Sequence, residues 1–329
     1  IGFMLTANEI NHFTWASINY QQPFSMFRNA RVSYNHWARW DFGGQFLYAA
    51  LNLNAHGMFK NFWSAGIGAD WNPWEISNNA LRGGSSLRKP PGGGLWAYIN
   101  TDNRKKVTAN LNVTKAGGFA NTVKYNEVSL GINAQPFDAF RINVSGSYSQ
   151  FWRRQDQFVD QVSFKDQTRI IVGEVDQETV RMTMRFTYNL TPDLTIQYYG
   201  QPFITRPLYN HFAYVSDPLN TSYNDRFHRF TEEEIKQKDG RFEIDEDRDG
   251  NVDYSFHKPD FNFVQFRSNL VIRWEYKPGS ECYLVWSSGN TPNVADDVNS
   301  PIGNSLLHNL FSQQPRDIFL IKLTYRFLK

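Results

Sequence analysis

Hydrophobic and polar residues alternate along much of this chain with a period of two, the spacing that sends successive side chains to opposite faces of a β-sheet. From Val180 to Leu190 every even position is apolar or aromatic and every odd position is Arg, Thr or Asn. From Val264 to Tyr276, the residues Val264, Phe266, Leu270, Ile272, Trp274 and Tyr276 oppose Gln265, Arg267, Asn269, Arg273 and Glu275, and only Ser268 breaks the apolar row. Phe140, Ile142, Val144 and Tyr148 oppose Arg141, Asn143, Ser145 and Ser147, while Val107, Ala109, Leu111 and Val113 oppose Thr108, Asn110 and Asn112. Such runs last about 10–14 residues, whereas soluble strands are commonest at about 5–6 and a tilted membrane strand needs about 9–11. Arginines crowd the polar side, and aromatics gather at run ends: Trp37 and Trp40, Trp63 and Trp71, Trp274 and Tyr276, Tyr325 and Phe327. The pattern predicts an all-β, transmembrane, antiparallel outer-membrane β-barrel rather than a soluble sandwich or lectin.

About 13 strands are expected. Descending strands fall near 11–21, 45–54, 94–100, 122–134, 168–190, 262–276 and 315–328; ascending strands fall near 27–40, 59–71, 105–114, 138–152, 193–205 and 281–289. Compact turns such as Gln135-Pro136-Phe137-Asp138 and Lys277-Pro278-Gly279-Ser280 alternate with longer polar or Gly-rich stretches at 72–93, 115–121, 153–167, 206–261 and 290–314. Single-chain bacterial barrels have short periplasmic turns, longer outer loops and an even strand number. The expectation is therefore at least 14 strands in the full protein, with at least one ascending strand before this segment unless Ile1–Thr6 is its remnant. Residues 1–329 read as the C-terminal part of one barrel, with a long extracellular loop at about 206–261. Alternate apolar residues from Phe319 to Phe327 resemble the final-strand signal used by the barrel-assembly machinery.

Composition agrees. Aromatics make up 16% of 329 residues, yet mean hydropathy is negative, so large apolar groups are dispersed among polar ones. No stretch approaches the ~18 consecutive apolar residues of a spanning helix. The net charge of +2 supplies no field for nucleic acid. Cys282 is the single cysteine, so no internal disulfide forms, and its parity with Leu284 and Trp286 sets it toward lipid. Ile1-Gly2-Phe3-Met4 has no signal-peptide character.

Two constellations are candidates for chemistry. Asp245, Asp247, Asp249 and Asp253, with Asn251 between the last two, reproduce the spacing of an oxygen-rich Ca²⁺ loop over 245–253. Gly250 permits the sharp turn, Val252 is the aliphatic expected to pin the loop, and Phe256 replaces the bidentate Glu of a full EF-hand. The reading is a structural Ca²⁺ clip on the longest outer loop, or a solvated acidic loop. Second, parity points Arg31, Arg39, Arg141, Arg181, Arg185, Arg267, Arg273, Lys322 and Arg326 into the lumen with Asp70, Glu127 and Glu275. That suits a porin-like cavity for anionic or sugar-like solutes, or a ladder of Arg–carboxylate and Arg–Asn bonds filling a closed interior. Tyr209, Phe212, Tyr214, Tyr223, Phe227 and Phe230 either stack on glycans or form the small core of a folded loop, the second being favoured. The seven histidines are scattered, with no nucleophile elbow, zinc spacing, phosphate loop or dinucleotide fingerprint.

Several segments bear a resemblance: Asp249-Gly250-Asn251-Val252-Asp253-Tyr254-Ser255-Phe256, Pro259-Asp260-Phe261-Asn262-Phe263, Arg273-Trp274-Glu275-Tyr276-Lys277-Pro278-Gly279-Ser280 and Leu194-Thr195-Ile196-Gln197-Tyr198-Tyr199-Gly200. They resemble the C-terminal region of a Bacteroidota outer-membrane family, densely over 179–329 and more loosely before. Its members join an N-terminal domain resembling family-9 carbohydrate-binding modules to a barrel-like region of unassigned function. The resemblance implies no catalytic residues. Expected, then, is a non-enzymatic outer-membrane protein that binds or passes solutes, with a link to glycans through the carbohydrate-binding domain of the family it resembles. The alternatives are a closed scaffold subunit of a larger envelope complex and, less favoured, a barrel hydrolase.

Overall fold

A computed structural model describes residues 7–292 and 300–327. The expected strand remnant at Ile1–Thr6 lies outside them. Long alternating runs become long strands: β1 (Ile10–Tyr20), β2 (Phe27–Trp40), β3 (Phe46–Phe59) and β4 (Ser64–Ser77), then the short β5 (Leu87–Lys89), β6 (Gly92–Asn100), β7 (Val107–Gly118) and β8 (Lys124–Phe137). The longest follow: β9 (Phe140–Phe164), β10 (Gln167–Thr191) and β11 (Leu194–Val215). After β12 (Phe227–Arg229), β13 (Ile235–Lys238), β14 (Arg241–Ile244) and β15 (Tyr254–His257) come β16 (Phe263–Lys277), β17 (Ser280–Asn290), helix α1 (Ile302–Asn309) and β18 (Arg316–Leu323).

Thirteen strands pair antiparallel, neighbour to neighbour, in the order β1-β2-β3-β4-β6-β7-β8-β9-β10-β11-β16-β17-β18. Their bounds follow the expected segments closely in the first half of the chain and depart from them at β9 to β11. No pairing joins β1 to β18 among the described residues, so the sheet is antiparallel and open as described.

Register carries the alternation across the whole sheet. One row of directly paired residues runs Ile18, Val32, Ala55, Ile67, Ala97, Val113, Val128, Tyr148, Val180, Ile204 and Val264. A second runs Ala134, Ile142, Phe186, Tyr198, Leu270, Trp286 and Phe319. The other face presents rows such as Asn19, Arg31, His56, Gly66, Tyr98, Asn112, Ser129, Ser147 and Arg181. A one-residue slip anywhere would exchange the two faces. Much of the apolar face is open: Ile18, Ile67, Val128, Leu130 and Phe319 expose roughly half or more of their surface.

Two departures from the expected segments share a cause. The stretch 153–167 and residues 206–215, expected as loop, are strand, because β9, β10 and β11 run on past the sheet as a three-stranded arm. Their hairpin turns at Lys165 and Asp166, both with positive φ (46° and 61°), as a type I′ turn requires. In this arm both faces are covered. Ile170 and Val172 pack with Leu81, Leu87, Ala213 and Phe227 on one side. Ile171 packs with Phe212, Ile244, Tyr254 and Phe256 on the other. Burial on both faces replaces alternation with a continuous apolar run, and bulges at Arg153 and Asp156 (φ 52° and 61°) break the period. Strands β13, β14 and β15 form a separate small sheet over the arm. Finally, α1 lies within 290–314 and buries Ile302, Leu306 and Leu310 against Ile204, Val264 and Phe266, on the apolar face.

Candidate functional site

The arm and small sheet hold the acidic loop, which joins β14 to β15. Ile244 and Phe256, both fully buried, fix its two ends. Phe256 therefore belongs to the core where a full EF-hand needs its bidentate carboxylate. Val252 is 56% exposed and does not pin the loop; the flanking strands do. Within it, the Asp245 carboxylate accepts the N–H groups of Asp249 (3.1 Å) and Gly250 (2.9 Å), so the chain winds around it. Gly250 takes φ 92°, open to glycine alone without strain. Asp253 accepts the N–H of Glu246 at 2.7 Å.

Carboxylate oxygens of Asp245, Asp247 and Asp253 lie within 4.8 Å of one another. Asp249 stands outside this group, its Oδ1 accepting the Asn251 N–H at 2.8 Å. Sequence spacing thus named five residues, of which the structure brings three carboxylates together. It also missed the loop's cationic neighbours. Lys165, at the arm's tip, donates to Asp247 at 2.7 Å. Arg169 donates to Glu246 at 2.8 Å, and Tyr254 donates to the same carboxylate at 2.6 Å. The Lys165 hydrogen bond holds the Asp247 carboxyl below its ordinary range, and burial followed by the Glu246 contact pushes the Tyr254 phenol up.

The residues fit Ca²⁺ in part. Three convergent hard oxygens suit it, but Lys165 occupies one Asp247 oxygen and two N–H groups occupy Asp245, which suits a weak site more than a tight one.

The aromatics of 206–261 belong to packed cores. Phe212 stacks near Phe242 (centroids 4.6 Å) and Phe256 (5.1 Å). Phe227 and Tyr223 join the opposite core, and Tyr209, Tyr214 and Phe230 pack around Phe212. These rings are not a glycan platform.

On the polar face, register places Arg141, Arg181, Arg185, Arg267, Arg273 and Glu275 together with Thr187, Gln197, Gln201 and Thr195. Arg273 is paired, donating to Glu281 and lying 3.4 Å from Glu275. Arg185 lies over the Tyr199 ring at 5.2 Å. Among the described residues, Arg141, Arg181 and Arg267 have no carboxylate within salt-bridge distance, and all three are exposed. The amide ladder runs elsewhere: Asn35 donates to Asn52 (2.9 Å), and Asn52 to Asp70 (2.8 Å).

Beside that ladder is a cleft of about 540 Å³ lined by Phe13, Trp37, Arg39, Tyr48, Asp70 and Asn72 among others. Phe13 and Trp37 sit 5.6 Å apart between ring centroids, and Arg39 lies over Tyr48 at 4.2 Å. Trp37 was expected in the outer aromatic girdle. It pairs instead with Phe13 on the face of Arg39, and its odd number, shared with Arg31 and Arg39, already held that signal. Among the described residues no hydrogen bond joins a histidine to a serine or cysteine. His228 bonds Glu234 (3.1 Å) and His56 bonds Tyr98 (2.9 Å).

No curated protein matches the chain. A family model described as "Domain of unknown function (DUF5916)" matches residues 1–328. The match takes in the N-terminal half, where the sequence resemblance was looser, as well as the arm, the acidic loop and the last strand; the chain belongs to this family of unknown function.

Proposed function

We propose that this chain forms the membrane-spanning wall of an outer-membrane β-barrel, non-enzymatic, whose basic and amide-lined inner face binds or passes solutes, glycans in particular. The observation that carries the reading is the register: open apolar rows continue across thirteen antiparallel strands on one face, while the opposite face carries the arginines, amides and hydroxyls, with aromatic rings such as Phe13 and Trp37 among them. In water such a surface far exceeds the few hundred Å² of apolar patch that monomers usually expose; lipid is the solvent that favours it. Short turns such as 138–139 and 192–193 gather at one end of the sheet, and the arm, small sheet and α1 gather at the other, which supports periplasmic and extracellular ends.

For glycans the support is the inner cleft, where the Phe13 and Trp37 rings stand beside Arg39, Asp70 and Asn72. Rings offer flat apolar faces to sugar C–H surfaces, and charged or amide groups bond the hydroxyls. The resemblance to Bacteroidota envelope proteins with carbohydrate-binding domains points the same way. Calcium held by Asp245, Asp247 and Asp253 would order the outer loop and supply no chemistry.

Planar-bilayer recording tests the reading. The protein should give an ion current with anion preference, reduced by soluble oligosaccharides, and Trp37→Ala should remove that reduction while leaving the current. An inserted protein with no current would favour the sealed scaffold instead.

A further inference from the structure

On the lipid-facing side of β7 the outward row reads Val107, Ala109, Leu111, Val113, Lys115 and Gly117. Apolar residues end at Val113, and a cation stands two positions further toward the long-connection end, about 6–7 Å along the strand. Register sets Lys115 beside Leu95 and Asn126. One rung higher, Gly93, Gly117, Lys124 and Trp152 follow one another across β6 to β9. Lys115 and Lys124 are therefore diagonal neighbours on one face of an antiparallel pair, about 7–8 Å apart at their Cα atoms.

Two hollows meet here. A groove of about 950 Å³ is lined by Gly93, Gly117, Lys115, Lys124, Trp152 and Arg153, among others. A trough of about 370 Å³ lies alongside it, lined chiefly by Ile67, Leu95, Ala97, Val113 and Val128 and sharing Leu95, Lys115 and Asn126 with the groove. Gly93 and Gly117 put no side chain into the groove, and a Cβ on Gly93 would come within 2.6 Å of the Asp70 carbonyl oxygen. The groove's other charges are engaged: Asp70 accepts from Asn52, Asp176 accepts the Arg153 N–H, and Arg153 Nε lies 3.5 Å from Glu174. Among the described residues neither Lys115 nor Lys124 has a carboxylate within salt-bridge distance.

We propose that the Lys115–Lys124 groove and the apolar trough beside it form a binding site on the outer wall for one anionic lipid, its headgroup phosphate between the two ammonium groups and an acyl chain along Leu95, Val113 and Val128. Charge complementarity commits the occupant: two unpaired cations at the boundary of an apolar belt match a phosphate attached to hydrocarbon, and a free anion would leave the trough unused. Trp152 stands where a ring at the headgroup level is favoured. The proposal rests on the reading that the apolar face meets lipid.

The test uses the full chain in mixed micelles of dioleoyl phosphatidylglycerol and dioleoyl phosphatidylcholine, with retained lipid counted by native mass spectrometry, and vesicle flotation run in parallel. The parent should retain phosphatidylglycerol over phosphatidylcholine, and inorganic phosphate at millimolar concentration should not displace it. The double variant Lys115→Glu/Lys124→Glu should lose that retention about tenfold while still floating with vesicles. Equal retention by parent and double variant, no preference between the lipids, or displacement by phosphate would each overturn the site while leaving the membrane reading intact. A parent that fails to float would overturn both.

Discussion

At residue scale, calcium proposed for the acidic loop would have to compete with Lys165. Lys165 donates to the same Asp247 carboxylate that faces Asp245 and Asp253. Its hydrogen bond, more than any other influence, lowers the Asp247 pKa. A carboxylate depressed in this way is charged above its ordinary range, near pH 4, and its contribution is lost only as pH falls below that range. Calcium binding should thus be flat with pH through neutrality and weaken only on acidification into the depressed range where Asp247 protonates. Removing the competitor has the opposite sign: calorimetry of Lys165→Met at pH 7 should show tighter Ca²⁺ binding than the parent, starting from a weak site of about 0.1–1 mM. Asp253→Ala should abolish it. Unchanged or weaker affinity in Lys165→Met would mean that Asp247 is not a ligand.

Among the elements, the small sheet is the one whose stability rests on few side chains. Phe256 is fully buried and meets Phe212 and Phe242, and Ile244 is equally enclosed. Phe256→Ala removes the ring that ties β15 to the arm and should cost about 3–5 kcal/mol. Because the main sheet has its own hydrogen-bond ladder, the loss should stay local. Proteolysis of the folded protein should cut between residues 216 and 262, leaving the thirteen-strand body resistant. Digestion that spreads equally through the main strands would show that the arm and the sheet unfold as one unit.

For the whole molecule, the two faces of the sheet make opposite demands. Leu130 is 49% exposed on the apolar face and its neighbour Ser129 lies on the polar one. If lipid covers the first and water the second, Leu130→Arg should destabilise the refolded protein by about 2–4 kcal/mol near the bilayer midplane, and Ser129→Arg should stay within about 0.5 kcal/mol. Urea unfolding from lipid vesicles measures both. Equal, small effects would mean that the apolar face does not sit in lipid. Helix α1 belongs to this scale too, since it covers Ile204, Val264 and Phe266 at the long-connection end and leaves Leu307 exposed, with Phe311 exposed in the turn beyond it.

Sequence alone determined the long strands, their antiparallel order and which side chains share a face. Strand periodicity is local, and short turns leave neighbours no other pairing. It also placed Arg141, Arg181, Arg185, Arg267, Arg273 and Glu275 on one side, since parity survives from residue to rung. Tertiary structure alone decided the rest. The arm was hidden because a strand buried on both faces loses its alternation, as Ile170, Ile171 and Val172 do. The Lys165–Asp247 contact spans 82 residues, and the Phe13–Trp37 cleft needs two strands in register before either ring has a partner. Spacing proposed five calcium ligands, but only the folded loop could bring the carboxylates of Asp245, Asp247 and Asp253 together and leave Asp249 apart, because convergence of oxygens is set by backbone turns and by what the neighbouring arm brings against them.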